Sequence, residues 1–310
     1  MKSESEIITL FYDKFADIPL LSRMDAVAET FIDEIETLLN RDLPEEERIP
    51  LIEKFQKMYE TMDFYVLYNR FLKKEGYQTL PRRPLEKRKL RYEDVYPVLY
   101  LKYRLSRQAE RSNIKHLVID EMQDYSRLQY LIIRRMFSCK MTILGDRAQT
   151  MADQQQDVLQ FLPGIFGKDL RRIEMRKSYR NTVEIASYAA NLIGVTDLEL
   201  FERHGMPVLE RDVTDLEAAL REAVDTLFPD EKTYETAAVI VPDEKTAERA
   251  YLILREILVE KDFDCEKRLS WLNRDSSSFK KGLTVTTFYL AKGLEFDQVF
   301  SIFPKDEKRE

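Results

Sequence analysis

Two adjacent carboxylates, Asp120 and Glu121, close the apolar run His116-Leu-Val-Ile119 and are followed by Gln123 and Asp124. The run reads as a short buried strand. A strand that delivers consecutive acids to its carboxyl end suits magnesium–nucleotide chemistry. One acid can hold the metal through water, and the next can take a proton from the attacking water. Taken alone, the same residues also fit a strand that simply ends in a polar turn.

The flanking residues add context. Ser126-Arg-Leu-Gln129 matches a capping box, with Ser126 as N-cap and Gln129 reaching back. A helix is predicted to run from there to about Phe137, with Leu128, Leu131, Ile132 and Met136 available for its buried side. A second strand, Met141 to Leu144, then ends in Gly145-Asp-Arg-Ala-Gln149. The order strand, acids, helix, strand, polar loop is half of a parallel α/β nucleotide-binding sheet. Its polar groups fall at the carboxyl ends of the strands, where such sheets bind ligands.

Asp120-Glu-Met-Gln-Asp124 resembles motif II of the UvrD/Rep-type superfamily 1 helicases, and Gly145-Asp-Arg-Ala-Gln149 resembles motif III. Ser178-Tyr-Arg-Asn181 is similar to motif IV, and Val285 to Asp297 to motif V. The resemblance covers roughly Leu90 to Phe303. Tyr289-Leu-Ala-Lys-Gly-Leu-Glu-Phe-Asp297 and the upstream Tyr92 to Lys102 most resemble the HelD (helicase IV-like) branch, which is linked to recycling of stalled RNA polymerase. The resemblance implies ATP and Mg2+ as cofactors. It implies that Asp120 binds the metal, Glu121 polarises the hydrolytic water and Gln149 senses the γ-phosphate. Arg180 becomes an arginine finger, opposing the negative charge that shifts during phosphoryl transfer. Tyr179 stacks on the base. Lys292, Gly293 and Glu295 belong to motif V, with the glutamate touching the ribose. Without the resemblance, Arg180 reads as a surface arginine before a helix, and Gly293 as a residue that permits a backbone turn. Asp124 and Asp146 also read as loop-fixing acids.

The sequence departs from the family at several points. No Gly-Lys-Ser or Gly-Lys-Thr occurs, so the phosphate loop whose backbone N–H groups and lysine anchor a triphosphate is absent from these residues. The arginine-bearing motif VI is absent too. The chain therefore reads as a fragment whose parent carries the N-terminal phosphate-loop segment; a naturally reduced protein is the other reading. Gln149 is followed by Thr150-Met-Ala-Asp-Gln-Gln-Gln156, without the aromatics that stack on single-stranded bases in UvrD-like members. Such stacking contributes about 1–3 kcal/mol per base. Tyr289 also stands where the family has a histidine. Both changes suit a motor whose partner is a protein machine better than processive unwinding.

The elements that must position these residues fill a chain of 310 residues, enough for two domains. At 44% hydrophobic and 34% charged it suits a soluble globular protein. A net charge of −7 restricts any DNA contact to a local patch. Cys139 and Cys265 form neither a disulfide framework nor metal spacing, which fits a reducing cytoplasm. The start lacks a signal peptide's apolar core, and no apolar run spans a bilayer, so no membrane is expected. With His116 and His204 alone, a histidine metal centre is not expected.

The expected fold class is α/β: RecA-like parallel sheets of a P-loop NTPase helicase core, with an incomplete first domain, a second domain and an N-terminal helical region. Residues 1–89 resemble an insertion in the first RecA-like domain, 90–169 its C-terminal half, and 170–310 the second domain, truncated before motif VI. Val27, Phe31, Ile35 and Leu38 repeat at helical spacing, as do Leu51, Phe55, Met58 and Met62 after Pro50. The aromatic segment Phe64 to Leu72 is expected to pack on that second helix. Leu80 to Arg91, rich in Pro, Arg and Lys, reads either as a solvated linker or as a phosphate-contacting edge. Strands are expected at Leu170–Met175, Thr236–Val241, Leu283–Phe288 and Gln298–Phe303. Helices are expected from an Asn181 cap to Gly194 and from Glu244 to about Val259. The functional expectation is part of an ATP-dependent DNA helicase or translocase, acting on DNA or RNA polymerase and not competent alone for lack of a phosphate loop. The alternative is a non-catalytic module that binds RNA polymerase or another protein.

Overall fold

Local signals in the chain build two compact units, Met1–Glu174 and Met175–Glu310, each with its own core. The computed structural model describes residues 3–107, 113–146, 149, 157–195, 199–228, 234–276 and 281–303.

The N-terminal unit opens with α1 (Glu4–Thr9), which widens into a π-helical turn that buries Phe11. α2 (Arg23–Leu39) and α3 (Glu45–Gln56) pack together around Val27, Ala28 and Phe55, with the Phe31 and Phe55 rings 5.0 Å apart. Arg48 of α3 ties the pair by reaching both Glu29 and Glu36 of α2. The buried stripe of α2 is Val27, Ala28 and Ile32, so the expectation for Leu38 fails; it is 85% exposed beside the left-handed turn at Asn40. α3 starts before Pro50 rather than after it. Three glutamates, Glu45 to Glu47, favour the positive end of the helix, and Pro50 merely donates no bond to the preceding turn. The helix stops at Gln56, leaving Met58 and Met62 largely exposed.

α4 (Phe64–Lys74) is capped by Asp63, which accepts from the Tyr65 and Val66 amides. Its buried side, Tyr65, Tyr68 and Leu72, packs on Leu80, Leu90 and α5 (Tyr92–Leu105), not on α3 as expected. Spacing of three and four residues gives α4 this single apolar stripe, and α5 supplies Val98 and Leu101 to meet it. Asp94 is buried between Tyr68 Oη (2.8 Å) and Arg91 Nε (2.6 Å). Burial raises its pKa, but these two donors outweigh that and hold it below the ordinary value. Burial, then the same carboxylate, pushes Tyr68 up to about 12.

Next come β1 (His116–Ile119), α6 (Arg127–Met136), β2 (Lys140–Ile143) and α7 (Val158–Phe166). β1 and β2 are parallel, with His116 opposite Lys140 and Ile119 opposite Ile143. β1 is less buried than expected. Ile119 alone is buried, whereas Val118 is 60% exposed, because only one face of this two-stranded sheet meets the cluster of Met122, Tyr130, Phe161 and Leu162.

The expected strand at Leu170–Met175 does not form; Ile173 and Met175 are 87% and 88% exposed, and the C-terminal unit begins at Met175. Pairing begins at β3 (Lys177–Ser178), beside β4 (Glu199–Leu200) beyond α8 (Val183–Ile193). Then follow α9 (Leu216–Leu227), β5 (Thr236–Val241), α10 (Glu244–Glu260), α11 (Cys265–Arg268), β6 (Leu269–Trp271), β7 (Gly282–Thr287), α12 (Phe288–Ala291) and β8 (Gln298–Ser301). The larger sheet has the order β6-β7-β5-β8 with every pair parallel. Ala237, Val239 and Val241 of β5 and Leu283 and Val285 of β7 alternate toward α9 and α10, as period-two geometry requires. The fold is thus mixed helix and parallel-sheet α/β.

Candidate functional site

The acid pair sits where β1 ends. Asp120 is exposed, and its Oδ1 accepts from the Glu121 amide (2.8 Å). Glu121 adopts the left-handed conformation, φ 53°, which is uncommon outside glycine and turns the chain sharply into Met122–Asp124. The sheet ladder continues past both strands: the Leu144 amide donates to the Ile119 carbonyl, and the Met122 amide to the Leu144 carbonyl, each at 2.8 Å. Tyr130, fully buried on α6, donates to the Met122 carbonyl at 3.0 Å. Burial raises the pKa of this phenol above its usual value.

Gln123 joins the two loops. It is buried, its Nε2 donates to Glu121 Oε2 (2.6 Å), and its Oε1 accepts from the Asp146 amide (3.1 Å). Gly145 makes that approach possible. A Cβ there would stand 2.4 Å from Met122 Cγ, 2.5 Å from Gln123 Oε1 and 2.6 Å from the Met122 nitrogen. Asp146 Oδ2 accepts from Gln149 Nε2 at 3.1 Å, and the Gln149 amide donates to the Asp146 carbonyl at 3.2 Å. Asp120, Glu121 and Gln149 are therefore gathered at the carboxyl end of one parallel pair, through Gln123 and Asp146. Arg147, Ala148 and the aromatic-free stretch 150–156 lie outside the described residues.

No group of three or more potential metal-binding side chains occurs among the described residues. Mg2+ does not require one, because it takes one or two carboxylates beside substrate phosphates and waters. Asp120 fits that pattern: it is exposed at a strand end, with one oxygen committed to an amide.

The other predicted residues lie in the C-terminal unit. Tyr179 follows β3 and is 64% exposed; its ring is 5.7 Å from Phe201, and Lys177 Nζ lies 5.6 Å from its centre. The segment after β4 splints this turn. The Phe201 amide donates to the Ser178 carbonyl (3.1 Å), Arg203 Nη1 to the Arg180 carbonyl (3.2 Å), and the Val183 amide to the Arg203 carbonyl (2.8 Å). Thr182, not Asn181, caps α8, accepting from the Ile185 amide. Glu184 turns instead to His204 Nδ1 (3.0 Å) and the Gly205 amide (2.8 Å), which hold its pKa down to about 2.

Arg180 Nε and Glu295 Oε1 are 2.7 Å apart, on side chains that are 68% and 66% exposed. The structure thus joins Arg180 and Glu295, which lie far apart in the sequence, as an ion pair. Lys292 and Gly293 follow α12, where Gly293 takes φ 82° and the Leu294 amide closes on the Ala291 carbonyl. Asp297 proves structural: its Oδ2 accepts from the Glu235 amide (3.0 Å), the Thr236 amide (2.9 Å) and Thr236 Oγ1 (3.1 Å). A small cleft lined by Leu227, Phe228, Arg268 and Gly282 opens at the amino ends of β5 and β7, away from the turn at Lys292 and Gly293. Sequence reasoning did not assign Gln123 or Phe201. Gln123 stood inside a quoted motif, but its link to residue 146 is a tertiary contact; Phe201 lay outside every motif.

Residues 4–151 match the model of the UvrD/REP helicase N-terminal domain, a little under half of the chain. The match takes in the helical region, β1, α6, β2 and Gln149. No curated protein matches the chain. The match supports a UvrD-like superfamily 1 helicase, a family that is generally ATP-dependent, uses Mg2+ and binds DNA. No helix among the described residues is long and apolar enough to cross a membrane.

Proposed function

We propose that the chain is part of a HelD-like motor that couples ATP hydrolysis to remodelling of DNA or of an RNA polymerase complex. The observation that carries the reading is the Gln123 bridge, which locks the acid pair after β1 to the polar loop after β2. Such a lock lets an event at Glu121 reach Asp146 and Gln149 through direct contacts. Asp120 is the residue to hold Mg2+, which when bound would neutralise charge on the phosphates. Glu121 would take the proton of the attacking water, and Gln149 would register the γ-phosphate. Tyr179 offers an exposed face for the base, and Arg180 a cation that must exchange Glu295 for phosphate. Lys292, Gly293 and Glu295 would line the nucleotide's sugar side. The phosphate loop would come from a segment outside these 310 residues.

The test is ATP hydrolysis with Mg2+ and single-stranded DNA, by the chain and by the chain joined to a phosphate-loop segment, beside Glu121→Gln and Arg180→Ala. The reading expects turnover in the joined protein that both variants abolish without a change in unfolding behaviour. Turnover that survives either substitution refutes the roles assigned. A second reading, a non-catalytic module that binds RNA polymerase, is favoured by the absence of Gly-Lys-Ser or Gly-Lys-Thr from the sequence. It expects polymerase binding without ATP that neither variant alters.

A further inference from the structure

The segment from Leu80 to Arg91 is neither loose nor evenly solvated. Asn69 fixes Leu80 twice, donating to its carbonyl (3.2 Å) and accepting from its amide (2.6 Å). Tyr65 Oη donates to the Pro81 carbonyl at 2.7 Å. Arg88 donates to Asp63 (2.6 Å) and to the Arg83 carbonyl (3.0 Å), and its guanidinium lies 4.8 Å from the centre of the Tyr65 ring. Arg91 turns to the buried Asp94. The chain thus runs back along α4, from Asn69 to the cap at Asp63, as a strap stiffened by Pro81 and Pro84.

Its basic residues divide into two sets. Arg88 and Arg91 face acids and hold the strap down. Arg82, Arg83, Lys87 and Lys89 are exposed and have no acidic partner among the described residues; Glu86 is the single acid between Leu80 and Arg91. None of the four side chains is needed for the anchoring contacts. An ordered strap that holds four outward cations together, on a chain of net charge −7, is built for a polyanion. Exposed Tyr77 and Tyr92, 65% and 78% accessible, flank it in the chain and offer rings to unpaired bases.

We propose that this strap is a binding surface for the phosphodiester backbone of single-stranded nucleic acid. The choice of nucleic acid over an acidic protein rests partly on the motor reading above, but the surface uses none of its nucleotide-site residues. Each cation that neutralises a phosphate of a single strand adds about 0.7 to the slope of log affinity against log salt. Four contacts add about 3, so the intact chain should lose roughly 50-fold more affinity than a charge-free strap between about 50 and about 200 mM salt.

The experiment is fluorescence anisotropy of a labelled oligothymidylate, without nucleotide, across that salt range. The quadruple variant Arg82→Gln, Arg83→Gln, Lys87→Gln, Lys89→Gln should flatten the slope by about 3, and the arginine pair or the lysine pair alone by about half of that. Arg82→Lys with Arg83→Lys should keep the slope, since charge rather than guanidinium shape is at work. The pair variants keep the test decisive if the quadruple variant folds poorly. Glu121→Gln should leave the slope unaltered, which separates this surface from the ATP reading. An unchanged slope in folded quadruple or pair variants overturns the proposal and leaves the strap to an acidic protein partner.

Discussion

Replacing Gln123 by leucine keeps much of the side chain's bulk and removes both of its hydrogen bonds. The bond to Glu121 Oε2, at 2.6 Å, is made to a carboxylate, and such bonds contribute about 1.5–3 kcal/mol. The bond from the Asp146 amide, at 3.1 Å, lies in an exposed loop where water can replace the lost acceptor, so its cost falls near the lower end of about 1–3 kcal/mol. Together the expected loss is about 2.5–4 kcal/mol. For a unit of this size each kcal/mol lowers the midpoint by about 2–4 °C, so the N-terminal unit should melt roughly 5–16 °C earlier. The single tryptophan, Trp271, lies in β6 of the other unit, so its fluorescence serves as an internal control that should not move. Amide hydrogen exchange at Asp146 supplies the local signal: protection there should fall before protection of β1 does. A variant within about 0.5 kcal/mol of the parent, with Asp146 still protected, would refute the view that this amide holds the two loops together.

Gly145→Ala tests the same junction by crowding. Met122 Cγ and the Gln123 amide can swing aside, but the Met122 nitrogen at 2.6 Å belongs to a backbone bonded to Leu144, so overpacking of about 1–3 kcal/mol is expected in urea unfolding, and parental stability would show that the loops part easily. Asp297 gives the C-terminal unit an acid-side sensitivity. Its pKa is lowered first by the Thr236 amide, with the Thr236 hydroxyl and Glu235 amide adding to it against partial burial. A depressed carboxylate contributes stability that is present above its unfolded value, about 3.9, and is lost as pH falls through the folded value. Trp271-detected unfolding should therefore show Asp297→Asn less stable than the parent at neutral pH, with the gap closing below about pH 4; a constant gap would contradict the assignment.

Legibility in the sequence followed the range of the physics. An apolar run marked β5, helical spacing marked α10, and the Ser126–Gln129 capping box marked α6 almost to the residue, because such signals are contained within a few neighbouring residues. Leu38, Met58 and Met62 misled because helical spacing says that a stripe exists, not how far its partner covers it. Leu170–Met175 looked like a strand by composition, yet no neighbour pairs with it. α9 and β6 were not foreseen, although α9 carries Leu216, Leu220, Val224 and Leu227 at regular spacing, and that signal was readable. Of the candidate site, the residues at the carboxyl end of β1 and β2 were visible as types and order. The Gln123 bridge and the Phe201 splint were not, since both depend on contacts between segments that only folding brings together.

The order of the larger sheet also sets a timetable for synthesis. β5, with five of its six residues buried, sits between β7 and β8, and both neighbours come later in the chain. When Val241 leaves the ribosome, neither flank of β5 has a partner, and roughly forty residues must still be made before Gly282 opens β7. At about 5–20 residues per second that interval lasts roughly 2–8 s. During it, Ala-Ala-Val-Ile-Val of β5 is shielded only by α9 and the growing α10, which pack on one of its faces. Nascent chains halted in this window should be the ones most prone to aggregate or to be held by chaperones, and release should coincide with emergence of the segment that carries Asp297 and β8.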